Sequence, residues 1–448
     1  MAVTETRTIS YGSRVKSSLG GIGTGIIMFL IGTCLLWWNE GRAVKTAKML
    51  EEAQGVAVHV DDVSKVDPSL TGQLIHATAE TKTTDQLSDE QFGYSVAAVK
   101  LDRKVEYFQF VENSETETKD KLGGSQEVKT TYTCEKSWTS SPVNSSDFHG
   151  ENAHIYQNTT LMQFENKYEV AKNVTFGGYR LSSDLISGIS GSVPAELNIE
   201  DSRLIEWNTT IARTVGDPAA RAAAEAAAKA AEQVAEVKDS TATDSAATAA
   251  PAIDDNRYEY VHVAGNVVYF GKNPSSPQIG DVRVTLTQVN PGLVSVLAQV
   301  DGDTFVPFTA KNGKTLSTIS MGRKTMEQMF EQQKSANNMW LWIWRIVGTL
   351  LVCLGLKGVF DILSTILKVV PFLANIVNWG VGFVCNVVGI AWSLLIIAIA
   401  WIFYRPVLGI SILVAIFAVL GFFAYRGGKL DKFIPKKDQA PVPPAPEA

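Results

Sequence analysis

Cysteine is scarce in this chain: four occur in 448 residues, Cys34, Cys134, Cys353 and Cys385, and three of them lie inside long apolar runs. Only Cys134 sits in the polar centre, so no disulfide can form within that region, and no CxxC or Cys/His metal spacing exists. The other three are expected to be buried as small apolar residues. Histidine is as rare, with His59, His76, His149, His154 and His262 alone. None forms HExxH, and "HGENAH" has a spacing without a standard metal mechanism, so surface or strand histidines are expected. GxSxG, Walker A and a GxGxxG following a strand are all missing, and no carboxylate pair stands out. The formal net charge of −6 gives no electrostatic reason to bind nucleic acid. These absences leave no candidate catalytic, cofactor or metal residues and no reason to expect a nucleic-acid partner.

Apolar residues are present in quantity, but unevenly. They crowd the stretch before Trp38 and the last hundred or so positions, and leave a polar centre. Residues 19–38 are long enough, at 1.5 Å per residue, to cross roughly 30 Å of hydrocarbon. The run ends in Leu-Leu-Trp-Trp, unlike the small residues of a signal-peptide cut, so an uncleaved anchor is expected. Trp37 and Trp38 suit the headgroup layer, beyond which Asn39, Glu40 and Arg42 leave the hydrocarbon. Further apolar runs at 339–357, 377–403 and 407–425 predict three more transmembrane helices, the last two separated by Tyr404, Arg405 and the break at Pro406. Between the first two of these, 358–376 carries Asp361, Ser364, Thr365 and Lys368 along one helical face, which predicts an amphipathic helix lying in the interface.

Residues 39–338 form the expected extramembrane domain. Segments such as 98–112, 258–272 and 281–289 are rich in Val, Thr, Tyr and Phe and alternate with period two. The fold class is therefore a multi-span α-helical membrane protein with a large, β-rich α+β extramembrane domain. Helices are expected near Ala43–Gln54 and Met326–Ala336. An Ala-rich helix and a polar linker interrupt the domain at 217–252. Asn144, Asn158, Asn173 and Asn208 are glycan acceptors only in a eukaryotic lumen. Basic residues tie across the first span, whereas five beyond the last span (Arg426, Lys429, Lys432, Lys436 and Lys437) face Arg405 alone before it. This places 1–18 and the disordered tail 426–448 in the cytoplasm and the large domain outside or in a lumen. Arg345, Asp361 and Lys368, polar residues at or near membrane depth, become candidate functional positions. Snorkelling at the interface explains them more cheaply than conduction.

The motifs "NEGRA" (39–43), "AAVKLDRKVEYFQFVE" (97–112), "GKNPSSPQIGDVRV" (271–284), "DGDTFVPFTAKNGKTL" (301–316) and "WIFYRPV" (401–407), in this order, resemble the LUMA (transmembrane protein 43) family. The resemblance implies a non-enzymatic scaffold that forms homo-oligomers, contacts membrane lipids and organises other membrane proteins. In animal relatives it implies the endoplasmic reticulum and inner nuclear membrane, maintenance of nuclear envelope structure, and emerin and lamins as partners. The Ala/Thr-rich insert departs from the family pattern and looks bacterial. A bacterial member would sit in the cytoplasmic membrane with a periplasmic domain and would have neither of those partners. The structural and interaction candidates are then Trp37, Trp38, Asn39, Glu40, Arg42, Arg345, Asp361, Lys368, Tyr404, Arg405 and Pro406. A channel or transporter is the second reading and an envelope- or lipid-acting enzyme the third.

Overall fold

A computed structural model describes residues 2–216, 258–367 and 371–406, with Ser411 and Val414. The described residues divide into two units. The first takes its residues from Met1–Tyr11 and Lys48–Ser335, the second from Gly12–Ala47 and the chain from Ala336 onward.

The first unit is built on strands β1 (Ala2–Ile9), β2 (Val58–Val60), β3 (Leu74–Thr83), β4 (Lys100–Asp120), β5 (Gln126–Thr139), β6 (Val282–Val289) and β7 (Leu293–Asp301), with shorter strands between them. One sheet of eight strands runs β1–β5–β4–β6 and on through Val267–Phe270 to Val261–Ala264. Alternation explains its inner face. Leu101, Arg103, Val105, Tyr107 and Gln109 of β4 are buried, as are Val282, Val284 and Leu286 of β6. Helix α2 (Asp201–Val215) covers this face with Leu204, Trp207, Ile211 and Ala212, the spacing of one helical stripe. Trp207 meets the rings of Phe92, Phe164 and Phe270. Gly216, in the left-handed region at φ 70°, ends the helix.

In the second sheet, of seven strands, β3 pairs antiparallel with β7 and parallel with β2. Its core gathers Ile75, Ala77, Val294, Val296, Phe176 and Phe305. A third cluster joins Met49, Leu50 and Ala53, near the end of helix α1 (Tyr11–Val56), to Leu74, Leu297, Met329 and Phe330, the last two near the start of helix α3 (Met326–Leu367). The helices expected near Ala43–Gln54 and Met326–Ala336 are thus the ends of longer ones.

Strand β1 belongs to the first unit. All eight of its residues pair with β5, from Ala2↔Thr133 to Ile9↔Gln126. Residues 2–9 and 126–133 therefore share one sheet, held by a ladder of backbone hydrogen bonds.

The second unit holds α1, α3 and α4 (Pro371–Tyr404). Three helices among the described residues are long and apolar enough to cross a membrane. The fourth expected span, 407–425, the Ala-rich segment 217–252, the tail 426–448 and Lys368 fall outside the described residues, Ser411 and Val414 excepted. Residues 358–367, expected as a separate interfacial helix, instead continue α3, and Pro371 opens α4 instead of closing that segment. Proline suits a first helical turn because its missing N–H would have no partner there.

Glycines set the packing of α1 on α3. A Cβ on Gly25 would lie 2.7 Å from the Gly355 carbonyl oxygen, and one on Gly32 would lie 2.9 Å from that of Gly348. Of the "GGIGTGI" glycines, Gly25 makes the close approach, whereas Gly20 and Gly23 meet nothing within 4 Å. Small residues allow dispersion contacts between backbones, which matter where lipid removes the hydrophobic drive. Cys353 and Cys385 are buried, but Cys34 is exposed on α1, contrary to expectation. An apolar thiol has little to lose by facing lipid.

Candidate functional site

Where the apolar run of α1 ends, the second unit assembles a polar cluster from all three helices. Glu40 and Asn39 are 2 % and 0 % exposed, values seldom met by a carboxylate or an amide without partners. Glu40 has two. Arg345 on α3 donates from Nε to its Oε1 at 2.6 Å, and Trp401 on α4 donates from Nε1 to its Oε2 at 2.9 Å. The Arg345 guanidinium also lies over the rings of Trp342 and Trp401, 5.0 and 5.5 Å from their centroids. A buried carboxylate is thus neutralised and hydrogen-bonded by groups from two other helices, which an isolated ion at this depth would need.

The neighbours of Glu40 extend the cluster. Asn39 donates from Nδ2 to the Leu341 carbonyl at 3.0 Å and accepts from Arg42 Nη2 at 3.1 Å. Arg42 also donates to Asn337 Oδ1 at 3.3 Å, while Asn337 Nδ2 donates to the Ala43 carbonyl at 3.0 Å. Gly41 is required by space: a Cβ there would lie 2.6 Å from Cζ of Tyr404. Trp37 packs on Phe403 and Tyr404 with centroids 5.5 and 5.7 Å away, and Trp38 meets the edge of Trp344.

Trp37, Trp38, Asn39, Glu40, Arg42, Arg345 and Tyr404 are therefore brought together. Asp361 is not. It lies sixteen residues beyond Arg345 on α3, about 24 Å along the axis. Arg405 and Pro406 are exposed just past the end of α4. Sequence reading missed Trp401, Asn337 and Gly41, and with them Trp342, Trp344 and Phe403, which pack on the cluster. A glycine between two charged residues on a helix was the available signal for Gly41.

Chemistry elsewhere is sparse. Among the described residues no three His, Cys, Asp or Glu side chains are placed to hold a metal. His149 accompanies Asn152 in binding Glu112, not His154, which is exposed. Two expected glycan acceptors are spoken for. Asn158 bonds both backbone groups of Phe110, and buried Asn208 accepts from the Tyr260 N–H. Asp281 of the "GKNPSSPQIGDVRV" motif is buried, accepting from the Tyr269 hydroxyl and from the Gln278 N–H at 2.7 Å. Burial raises its carboxyl above the usual range, and its two hydrogen bonds hold the loop before β6.

Membrane-crossing helices joined by a buried polar cluster, together with a β-rich unit, define an integral membrane protein. The model of the family described as transmembrane protein 43 matches residues 107–406, and the chain belongs to that family. It is 29 % identical to transmembrane protein 43 of Rattus norvegicus over 406 residues, covering 88 % of this chain and 86 % of the relative. The human protein is likewise 29 % identical, over 405 residues with the same coverage. A transmembrane protein 43 homolog of Drosophila melanogaster is 25 % identical over 397 residues, covering 87 % and 90 %. These relatives are animal proteins, and they leave a bacterial source for this chain unshown. No solved structure matches.

Proposed function

We propose that this protein is a non-enzymatic membrane scaffold that self-associates and organises other membrane proteins. One observation carries the reading: Glu40, buried between the membrane helices, and Arg345, nearly so, bind each other and Trp401. A group that relays protons or ions must be able to change partners. This pair is held from two sides, and its neighbours Asn39 and Arg42 are tied to α3. Such a cluster fixes helices against one another. That is what a scaffold needs in order to present a constant surface, and it favours this reading over a channel or a transporter. The Ala/Thr-rich segment 217–252 favours the bacterial cytoplasmic membrane as its location. Bacterial membrane proteins are then the partners.

The test is purification of the full chain in mild detergent, followed by mass measurement, identification of copurifying proteins, and an ion-flux assay after reconstitution into liposomes. A stable oligomer with reproducible membrane-protein partners and no flux is the expected result. A monomer that conducts ions would replace the scaffold with a channel.

A further inference from the structure

Two of the five histidines meet in the first unit, although seventeen residues separate them. His59 on β2 and His76 on β3 face each other in parallel register, with Nδ1 to Nδ1 at 2.9 Å. His59 Nε2 lies 3.1 Å from Asp61 Oδ1, and His76 Nε2 lies 3.0 Å from the Lys324 carbonyl oxygen. A carbonyl oxygen only accepts, so His76 donates from Nε2 to Lys324. The 2.9 Å contact between the two Nδ1 atoms is a hydrogen bond only while a single proton lies between the rings, carried by one of the two nitrogens.

We infer that the His59–His76 pair is a one-proton latch that releases on acidification. A second proton between the rings sets two N–H groups against each other at hydrogen-bond distance, so the rings must part. The latch therefore opens on the acid side. Its acid limit is set by His76, which is 2 % exposed, and burial pushes that ring below the ordinary histidine range. A ring so depressed contributes stability that is present above its unfolded value, near 6.5, and is lost as pH falls through its folded one. The cavity beside the pair has a volume of about 280 Å³ and admits the water that protonation requires. Other charged groups facing it are Asp61, Arg323, Lys324 and Glu327. Thr78 and Ser295, from β3 and the adjoining β7, are neutral and bonded to each other.

Position gives the latch its consequence. Val58–Val60 is the first strand after α1 ends at Val56, and Lys324 stands two residues before α3 begins at Met326. One proton therefore governs whether the chain leaving the first membrane helix is tied to the chain entering the next.

Hydrogen exchange of the full chain in detergent, read by mass spectrometry at pH 7.5 and 5.5 and corrected for intrinsic rates, tests this. Protection of the peptides covering 58–61 and 322–326 should fall about ten-fold or more at the lower pH, the equivalent of one unit of separation between folded and open pKa values. Protection in the core strand 282–289 should hold. His59→Gln supplies the control, because a Gln side chain can donate to a neutral ring or accept from a charged one, and His59 is half-exposed and tolerant of change. In that variant the two peptides should keep nearly equal protection at both pH values. Equal protection in the unaltered protein, or an unchanged pH response in His59→Gln, would overturn the latch.

Discussion

Glu40 illustrates what a single residue can and cannot reveal in sequence. Its place just past the apolar run, beside two tryptophans, already marked the membrane boundary. Its ion-pair partner was beyond reach, because Arg345 is 305 positions away. The nearer Arg42 looked available, but residues two apart on a helix point to different sides. Arg42 turns instead to the neutral oxygens of Asn39 and Asn337. The difference ranks two substitutions. Trp401→Phe leaves Glu40 Oε2 buried without its donor and should cost about 1–3 kcal/mol, the penalty of an unmet buried acceptor. Arg42→Gln can keep one amide contact and should cost about 1 kcal/mol or less. Melting of the purified variants orders them, and a larger loss for Arg42→Gln would mean that the cluster is centred on the wrong arginine.

At the scale of elements, period-two alternation made the central strands of the first sheet legible, and the apolar runs made three of the membrane helices legible. The ends of those helices were not. Charge at Glu40 and Arg42 reads as a boundary, yet α1 continues to Val56, because a helix needs satisfied backbone and not apolar side chains. The 358–367 segment went astray for a related reason. Its polar stripe suggested a separate helix, whereas Thr365 bonds Ser18 Oγ at 2.8 Å and packs α3 on α1. The glycine seam gives the sharpest test of this packing. Gly25→Leu drives side-chain atoms into the α3 backbone at Gly355 and Val359, and a backbone cannot move aside as a side chain can. Its melting midpoint should drop by several degrees, while Gly23→Leu, where there is open space, should melt like the unaltered protein. Equal behaviour of the two would remove the seam from the account.

For the whole molecule, the family resemblance carried by five separated motifs was legible from end to end, and so was the division into membrane and β-rich parts. The pairing of β1 with β5 was not, since it joins residues more than a hundred positions apart. Thr4 stands opposite Thr131 in that ladder. Cysteines at both positions should cross-link in native membranes under mild oxidation, whereas a Thr4→Cys, Asn273→Cys pair should not. Failure of the first pair would remove β1 from the sheet. The central claim, that buried charge here fixes helices instead of moving ions, is tested most directly by a double-mutant cycle on Glu40→Gln and Arg345→Gln. Each single change strands the other charge and should cost about 3–5 kcal/mol, with loss of the native oligomer on size exclusion. The double variant should recover much of that loss, because two neutral amides can bond each other. Strictly additive losses, or single variants that melt and elute like the unaltered protein, would contradict it.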